Sequence, residues 1–188
     1  MSLTMIAFGT QDEWERWLAE NHTESPGVWM KIAKKGADAS TVSYAEALDS
    51  ALCYGWIDGQ KGKLDDEHWL QRFTPRRPRS KWSQRNRDHV DRLISEGRMT
   101  PAGLREVEQA RADGRWDAAY EGQAAMTVPD DLLRALELDP IAEEFFSTLD
   151  RANVFAIVYR IQDAKKPETR ARRIDTIVAM LGDRKKIH

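Results

Sequence analysis

Seven basic side chains fall between residues 72 and 87: Arg72, Arg76, Arg77, Arg79, Lys81, Arg85 and Arg87. They are interleaved with Trp69, Phe73 and Trp82. Guanidinium forks grip carboxylates and phosphates with two parallel hydrogen bonds, and aromatic faces stack on guanidinium or on nucleobases. Pro75 and Pro78 hold the intervening chain extended, so several arginines can point one way. Ser80 and Ser83 stand where a helix begins, and the first amides of a helix attract anions. The chemistry these residues offer is anion recognition. The plainer alternative is that the arginines pair with the acidic residues of segments 58–67 and 129–150 of the same chain.

The residues just before this run extend the candidate site. Trp56, Asp58 and Gln60 alternate, which on a strand places them on one face with Ile57 opposite. Asp58 and Arg72 are expected on neighbouring strands, as the polar floor of a pocket. The candidate ligand-binding residues are therefore Trp56, Asp58, Gln60, Arg72, Arg76, Arg77 and Trp82. The competing reading makes Trp56 a core residue and Asp58 a turn or ion-pair residue. A third feature is Lys165-Lys166-Pro167-Glu168-Thr169-Arg170. Glu168 suits the first turn of a helix, whereas Arg170, Arg172 and Arg173 crowd a positive helix end. That conflict marks either a surface for an acidic partner or an exposed turn of solvated charges.

Catalytic patterns are sparse. His22, His68, His89 and His188 show no metal-ligand spacing, so no metal and no cofactor is expected. His68, beside Asp66 and Glu67, is a candidate general base, and equally an ordinary turn residue. Cys53 follows an apolar helix stripe and reads as a small buried hydrophobe. There is no phosphate-binding glycine loop, no Gly-x-Ser-x-Gly elbow and no kinase motif.

Composition bounds these readings. The 188 residues are 41% hydrophobic and 32% charged, which excludes a wholly disordered chain. No stretch approaches the roughly 20 apolar residues of a spanning helix. One cysteine excludes an internal disulfide framework. The first nine residues show no secretory signal, so a cytoplasmic location is expected. The net charge of -2 hides segregation: residues 72–92 hold 8 basic and 2 acidic groups, residues 129–150 hold 1 and 7, and residues 151–188 hold 10 and 4. A pI near 6.1 argues against a dedicated nucleic-acid binder.

The elements that must position the arginines follow from spacing. Thr10/Glu13 and Ser43/Glu46 have capping-box spacing ahead of apolar stripes at Trp14, Trp17, Leu18 and at Ala47, Leu48, Ala51, Leu52. Val28 to Lys34 reads as a strand. Gly55 to Lys63 and His68 to Thr74 read as a hairpin around Asp65-Asp66-Glu67, with Gly59 and Gly62 marking bulges or close backbone approach. The second half is helical. Helices span Trp82 to Glu96, start at Thr100-Pro101, Pro129-Asp130, Asp139-Pro140 and Pro167, and carry a further stripe at Val154, Ile157, Val158 and Ile161. The expected fold is α+β: a small three-stranded, mostly antiparallel sheet with helices over residues 1–115, then a helical region over 116–188.

Three stretches taken together carry a family resemblance. They are Gly55-Trp56-Ile57-Asp58-Gly59, then Arg72-Phe73-Thr74-Pro75-Arg76-Arg77-Pro78-Arg79-Ser80-Lys81-Trp82-Ser83, then Ala164-Lys165-Lys166-Pro167-Glu168-Thr169-Arg170-Ala171-Arg172-Arg173-Ile174. With Gly97-Arg98-Met99-Thr100-Pro101-Ala102-Gly103 between them, the chain resembles the YdeI/OmpD-associated family of small bacterial proteins from about residue 26 onward. That family is named for tolerance of bacteriocins or antimicrobial peptides and for a link to an outer-membrane porin. The resemblance implies a stress-tolerance role and supplies no reaction and no catalytic residue. The expected function is a non-enzymatic, cytoplasmic stress-tolerance protein that binds an anionic ligand or acidic partner through its arginines, without membrane insertion. Two alternatives stand beside it. One is an enzyme on a small anion, with Asp58 or His68 in acid–base work and Arg72 and Arg76 as clamps. The other is a nucleic-acid binder using residues 69–87.

Overall fold

The computed structural model describes residues 3–122 and 126–187. His188 and residues 123–125 of the Ala- and Gly-rich loop lie outside the described residues. The chain divides into two units, Met1–Ala119 and Tyr120–His188.

The first unit contains β1 (Thr4–Ala7), α1 (Gln11–Asn21), β2 (Val28–Ala33), α2 (Tyr44–Cys53), β3 (Trp56–Lys63), β4 (His68–Pro75), α3 (Gln84–Ser95) and α4 (Pro101–Ala112). Its sheet has four strands in the order β1-β2-β4-β3, with β1 parallel to β2 and the other pairs antiparallel. The expected three-stranded sheet is thereby corrected to a four-stranded mixed one. Thr4-Met5-Ile6-Ala7 is too short for alternation to register, and as an edge strand it leaves three of its four residues exposed. Helix starts follow their caps. Ser43 and Glu46 form the full reciprocal box, at 3.3 and 2.9 Å. At Thr10 only half the box forms, because the Glu13 carboxylate accepts from the Gly9 amide instead.

The core of this unit is aromatic. Trp14 meets Phe8, Trp17, Trp56 and Phe73 with ring centroids 5.0–6.1 Å apart. Two of the indole N–H groups are satisfied by backbone: Trp14 donates to Ala47 O and Trp56 to His22 O. The hairpin carries a bulge. Asp58 pairs with Phe73 and Lys61 with Gln71, so Gly59 and Gln60 together face Arg72. Buried Gln71 donates from Nε2 to the Gly59 carbonyl at 2.9 Å, which holds the irregular backbone.

The second unit contains α5 (Asp130–Glu137), α6 (Pro140–Ser147), α7 (Arg151–Gln162) and α8 (Pro167–Gly182). Leu132, Leu136, Ala142, Ile157, Ile161, Ile174, Ile177 and Leu181 form its core. Asp139 caps α6 and Asp150 caps α7 through their carboxylates, with Pro140 at the first helical position of α6. The crowding of arginines at the start of α8 is partly relieved internally. Arg170 grips Asp131 with two bonds, Nε–Oδ2 2.6 Å and Nη2–Oδ1 2.9 Å, clasping α8 to α5. These bonds hold the Asp131 carboxyl below the usual carboxylate range. A depressed carboxyl adds stability above its unfolded pKa and loses it as pH falls through the folded value. The two side chains are 30% and 34% exposed, which caps the effect at about 1 kcal/mol. Asp131→Asn is expected to cost that much in urea unfolding at about pH 7, with the gap to wild type closing in acid. A gap that persists unchanged in acid would contradict the assignment.

Candidate anion-binding surface

β4 ends at Pro75, and residues 76–83 cross to α3. The side chains of this crossing divide into an internal set and an exposed set. Arg76 is internal: it is 7% exposed, its guanidinium carbon stands 3.5 Å over the Trp82 ring, and Nη1 donates to Lys81 O. Trp82 is buried and packs on Trp116, with centroids 4.9 Å apart. Arg87 lies 5.1 Å over Trp116 and donates from Nη1 to its carbonyl at 2.9 Å. Each arginine–indole contact contributes about 0.5–2 kcal/mol, more when water is excluded. Beside them burial pushes the Glu106 carboxyl up, with Arg76, Arg115 and Arg105 pulling it back down. Arg76, Arg87 and Trp82 therefore build the unit.

Arg77, Pro78, Arg79 and Ser80 form a turn. The Ser80 amide donates to Arg77 O at 2.8 Å, and the Arg77 amide donates to Ser80 Oγ at 2.9 Å. Proline at the second turn position presets its φ. Arg115 Nη1 donates to Ser80 O at 2.9 Å, tying the turn to the end of α4. Arg77 and Arg79 project from this held turn and are exposed, as is Arg85 in the first turn of α3. Among the described residues none of Arg72, Arg77, Arg79, Arg85 and Arg87 forms an ion pair with a carboxylate, whereas Arg92, Arg98, Arg111 and Arg115 do.

The residues expected to line one pocket occupy separate environments. Trp56 is 1% exposed and belongs to the aromatic core. Asp58 shares the Trp56 face, but its Oδ2 accepts from the Tyr44 hydroxyl at 2.7 Å. Gln60 is exposed on the bulge, so its alternation with Trp56 and Asp58 is broken. Arg72 neighbours Phe73 along β4 and so points to the other face of the sheet, where its stem lies over Gly59. The expected floor of Asp58 beside Arg72 does not form. Arg76 and Trp82 stack on each other, and Arg77 stands outside on the turn.

The bulge brings together residues the alternation missed. It puts Lys61, in place of Gln60, on the face of Asp58. Lys61 Nζ lies 5.4 Å from the Tyr44 ring centre and 4.9 Å from that of Trp69, and Arg85 approaches the same Tyr44 ring at 5.6 Å. Burial, then the Asp58 hydrogen bond, raises the Tyr44 hydroxyl pKa, so it stays a neutral donor. Gly59 was the available signal, because a bulge shifts side-chain parity by one. The proposed base His68 is held by Asp65, Nδ1–Oδ1 3.1 Å, in a turn that also engages its own amide. Burial pushes the Cys53 thiol up to about 11, which leaves little nucleophilic thiolate near neutrality.

The chain belongs to the family defined by a domain of unknown function, DUF8412, whose model matches residues 6–106. Residues 125–184 match the model described as bacteriocin-protection, YdeI or OmpD-associated, the family that the sequence resembles. That second match covers the Lys165–Ile174 stretch, while the Gly55–Gly59 and Arg72–Ser83 stretches lie within the first. No curated protein and no solved structure matches the chain.

Proposed function

We propose that this is a non-enzymatic, cytoplasmic stress-tolerance protein that engages an acidic protein surface through Arg77, Arg79 and Arg85. One observation carries the reading: three exposed guanidinium groups stand on or beside a hydrogen-bonded turn without an internal carboxylate. A turn held in advance loses little entropy on binding. The family description for residues 125–184 supports a protective role, and protection by binding needs no reaction. The enzymatic alternative is weakened because the Asp58 carboxylate already accepts from the Tyr44 hydroxyl and the clamp Arg76 is buried against Trp82. The nucleic-acid alternative is weakened by the net charge of -2, which opposes a polyanion approaching the whole chain.

The test is a fluorescence-anisotropy titration of the full chain with a labelled glutamate-rich peptide and with duplex DNA of equal charge. The peptide is expected to bind saturably, and to weaken as salt rises from about 50 to about 500 mM, because exposed charges are screened. Duplex binding tighter than peptide binding would replace this reading with the nucleic-acid one. Absence of saturable peptide binding would end it.

A further inference from the structure

Cations are left unneutralised at a second place, within the second unit. Arg160, late in α7, and Arg172, in the second turn of α8, are both exposed, and among the described residues neither pairs with a carboxylate. Their neighbours do pair: Arg170 takes Asp131, and Arg173 donates to Arg160 O and reaches Asp163 Oδ2 at 3.4 Å. Arg173 thus straps α8 to the carbonyl end of α7, where the helix dipole favours a cation. The strap fixes the walls of a groove of about 330 Å³ lined by Tyr159, Arg160, Asp163, Arg172, Arg173, Thr176 and Ile177. Its floor is largely apolar. The Tyr159 ring is set by Phe155, stacked at 5.9 Å, and Tyr120, edge-on at 5.1 Å. The Thr176 hydroxyl donates to Arg172 O within its own helix.

We infer that this groove binds an amphipathic oxyanion: a carboxylate or phosphate head between Arg160 and Arg172, with a short apolar body along Tyr159 and Ile177. Charge and shape both select this class. The lining holds three guanidinium groups against one carboxylate, Asp163, which Arg173 engages, and this excess of positive charge calls for an anionic head. An apolar floor gives an inorganic ion nothing to bury, and the volume is that of a small-molecule site. The groove is built wholly from residues of the second unit and the inference does not rest on the acidic-partner reading.

Isothermal titration of the full chain with octyl phosphate, octanoate, octanol and inorganic phosphate tests it. Octyl phosphate or octanoate is expected to bind at least about tenfold tighter than octanol or inorganic phosphate. The tighter of the two identifies the head group. The double variant Arg160→Gln/Arg172→Gln is expected to weaken that binding about tenfold or more with an unchanged melting temperature, both side chains being exposed. Thr176→Trp, which fills the groove from an exposed position, should weaken it similarly. Arg77→Glu/Arg79→Glu should leave it intact. Octanol binding as well as the anions, no saturable binding by wild type, or binding untouched by both groove variants would overturn the inference.

Discussion

Gly103→Ala is expected to destabilise the protein by about 3 kcal/mol, although alanine is the better helix former by about 1 kcal/mol. The reason lies in how α4 is seated. Its first turn rests on the carbonyl end of α2, where Thr100 donates to Cys53 O from both its amide, at 3.2 Å, and its hydroxyl, at 2.6 Å. A Cβ on Gly103 would lie 2.3 Å from Cys53 O and 2.8 Å from both Cys53 C and Leu52 O. These are backbone atoms, so no rotamer change relieves the overlap. The helix must lift, giving up the Thr100 bonds at about 0.5–1.5 kcal/mol each as well as its packing. Gln109→Gly, at an exposed position of the same helix, should cost only about 1 kcal/mol. Urea midpoints for the two variants check the ordering. A neutral or stabilising Gly103→Ala would show that α4 does not sit this closely. The same contact gives the Thr100-Pro101-Ala102-Gly103 stretch its physical meaning: a cap, a preset first residue, and a glycine where two helices touch.

Helices were legible where a cap met an apolar stripe, as at Ser43, and where a proline followed a cap, as at Thr100 and Asp139. The hairpin was legible because two aromatic-rich runs flank an acidic turn. β1 was not, since four edge residues carry no periodicity of their own; its pairing with β2 is a tertiary fact. The candidate site was readable by composition but not by geometry. Alternation assigned Gln60 to the Asp58 face, and the bulge at Gly59 gave that place to Lys61. Residue type could not separate Arg76 from Arg77 either. One is buried on Trp82 and the other exposed, because Trp116 arrives from about forty residues later to complete the stack. Long-range contacts of this kind leave no trace in local spacing.

The second large effect concerns the turn. Arg77→Glu/Arg79→Glu is expected to weaken binding of the glutamate-rich peptide about thirtyfold or more. Each change removes an attraction and adds a repulsion, and juxtaposed like charges cost several kcal/mol when water is displaced. Folding should be nearly untouched, within about 0.5 kcal/mol, because both side chains are exposed and make no ion pair. The turn bonds use the Arg77 backbone and Ser80. Arg87→Gln should do the opposite. It loses the bond to Trp116 O and its place over the indole, lowering stability by about 1–3 kcal/mol while leaving affinity near wild type.

The division of labour among these arginines is tested most directly by one paired measurement: peptide affinity at low salt and urea midpoint, for wild type, Arg77→Glu/Arg79→Glu and Arg87→Gln. The exposed pair should lose affinity and keep its midpoint, and Arg87→Gln should lose its midpoint and keep affinity. Equal peptide affinity in wild type and the charge-reversed turn would contradict the account.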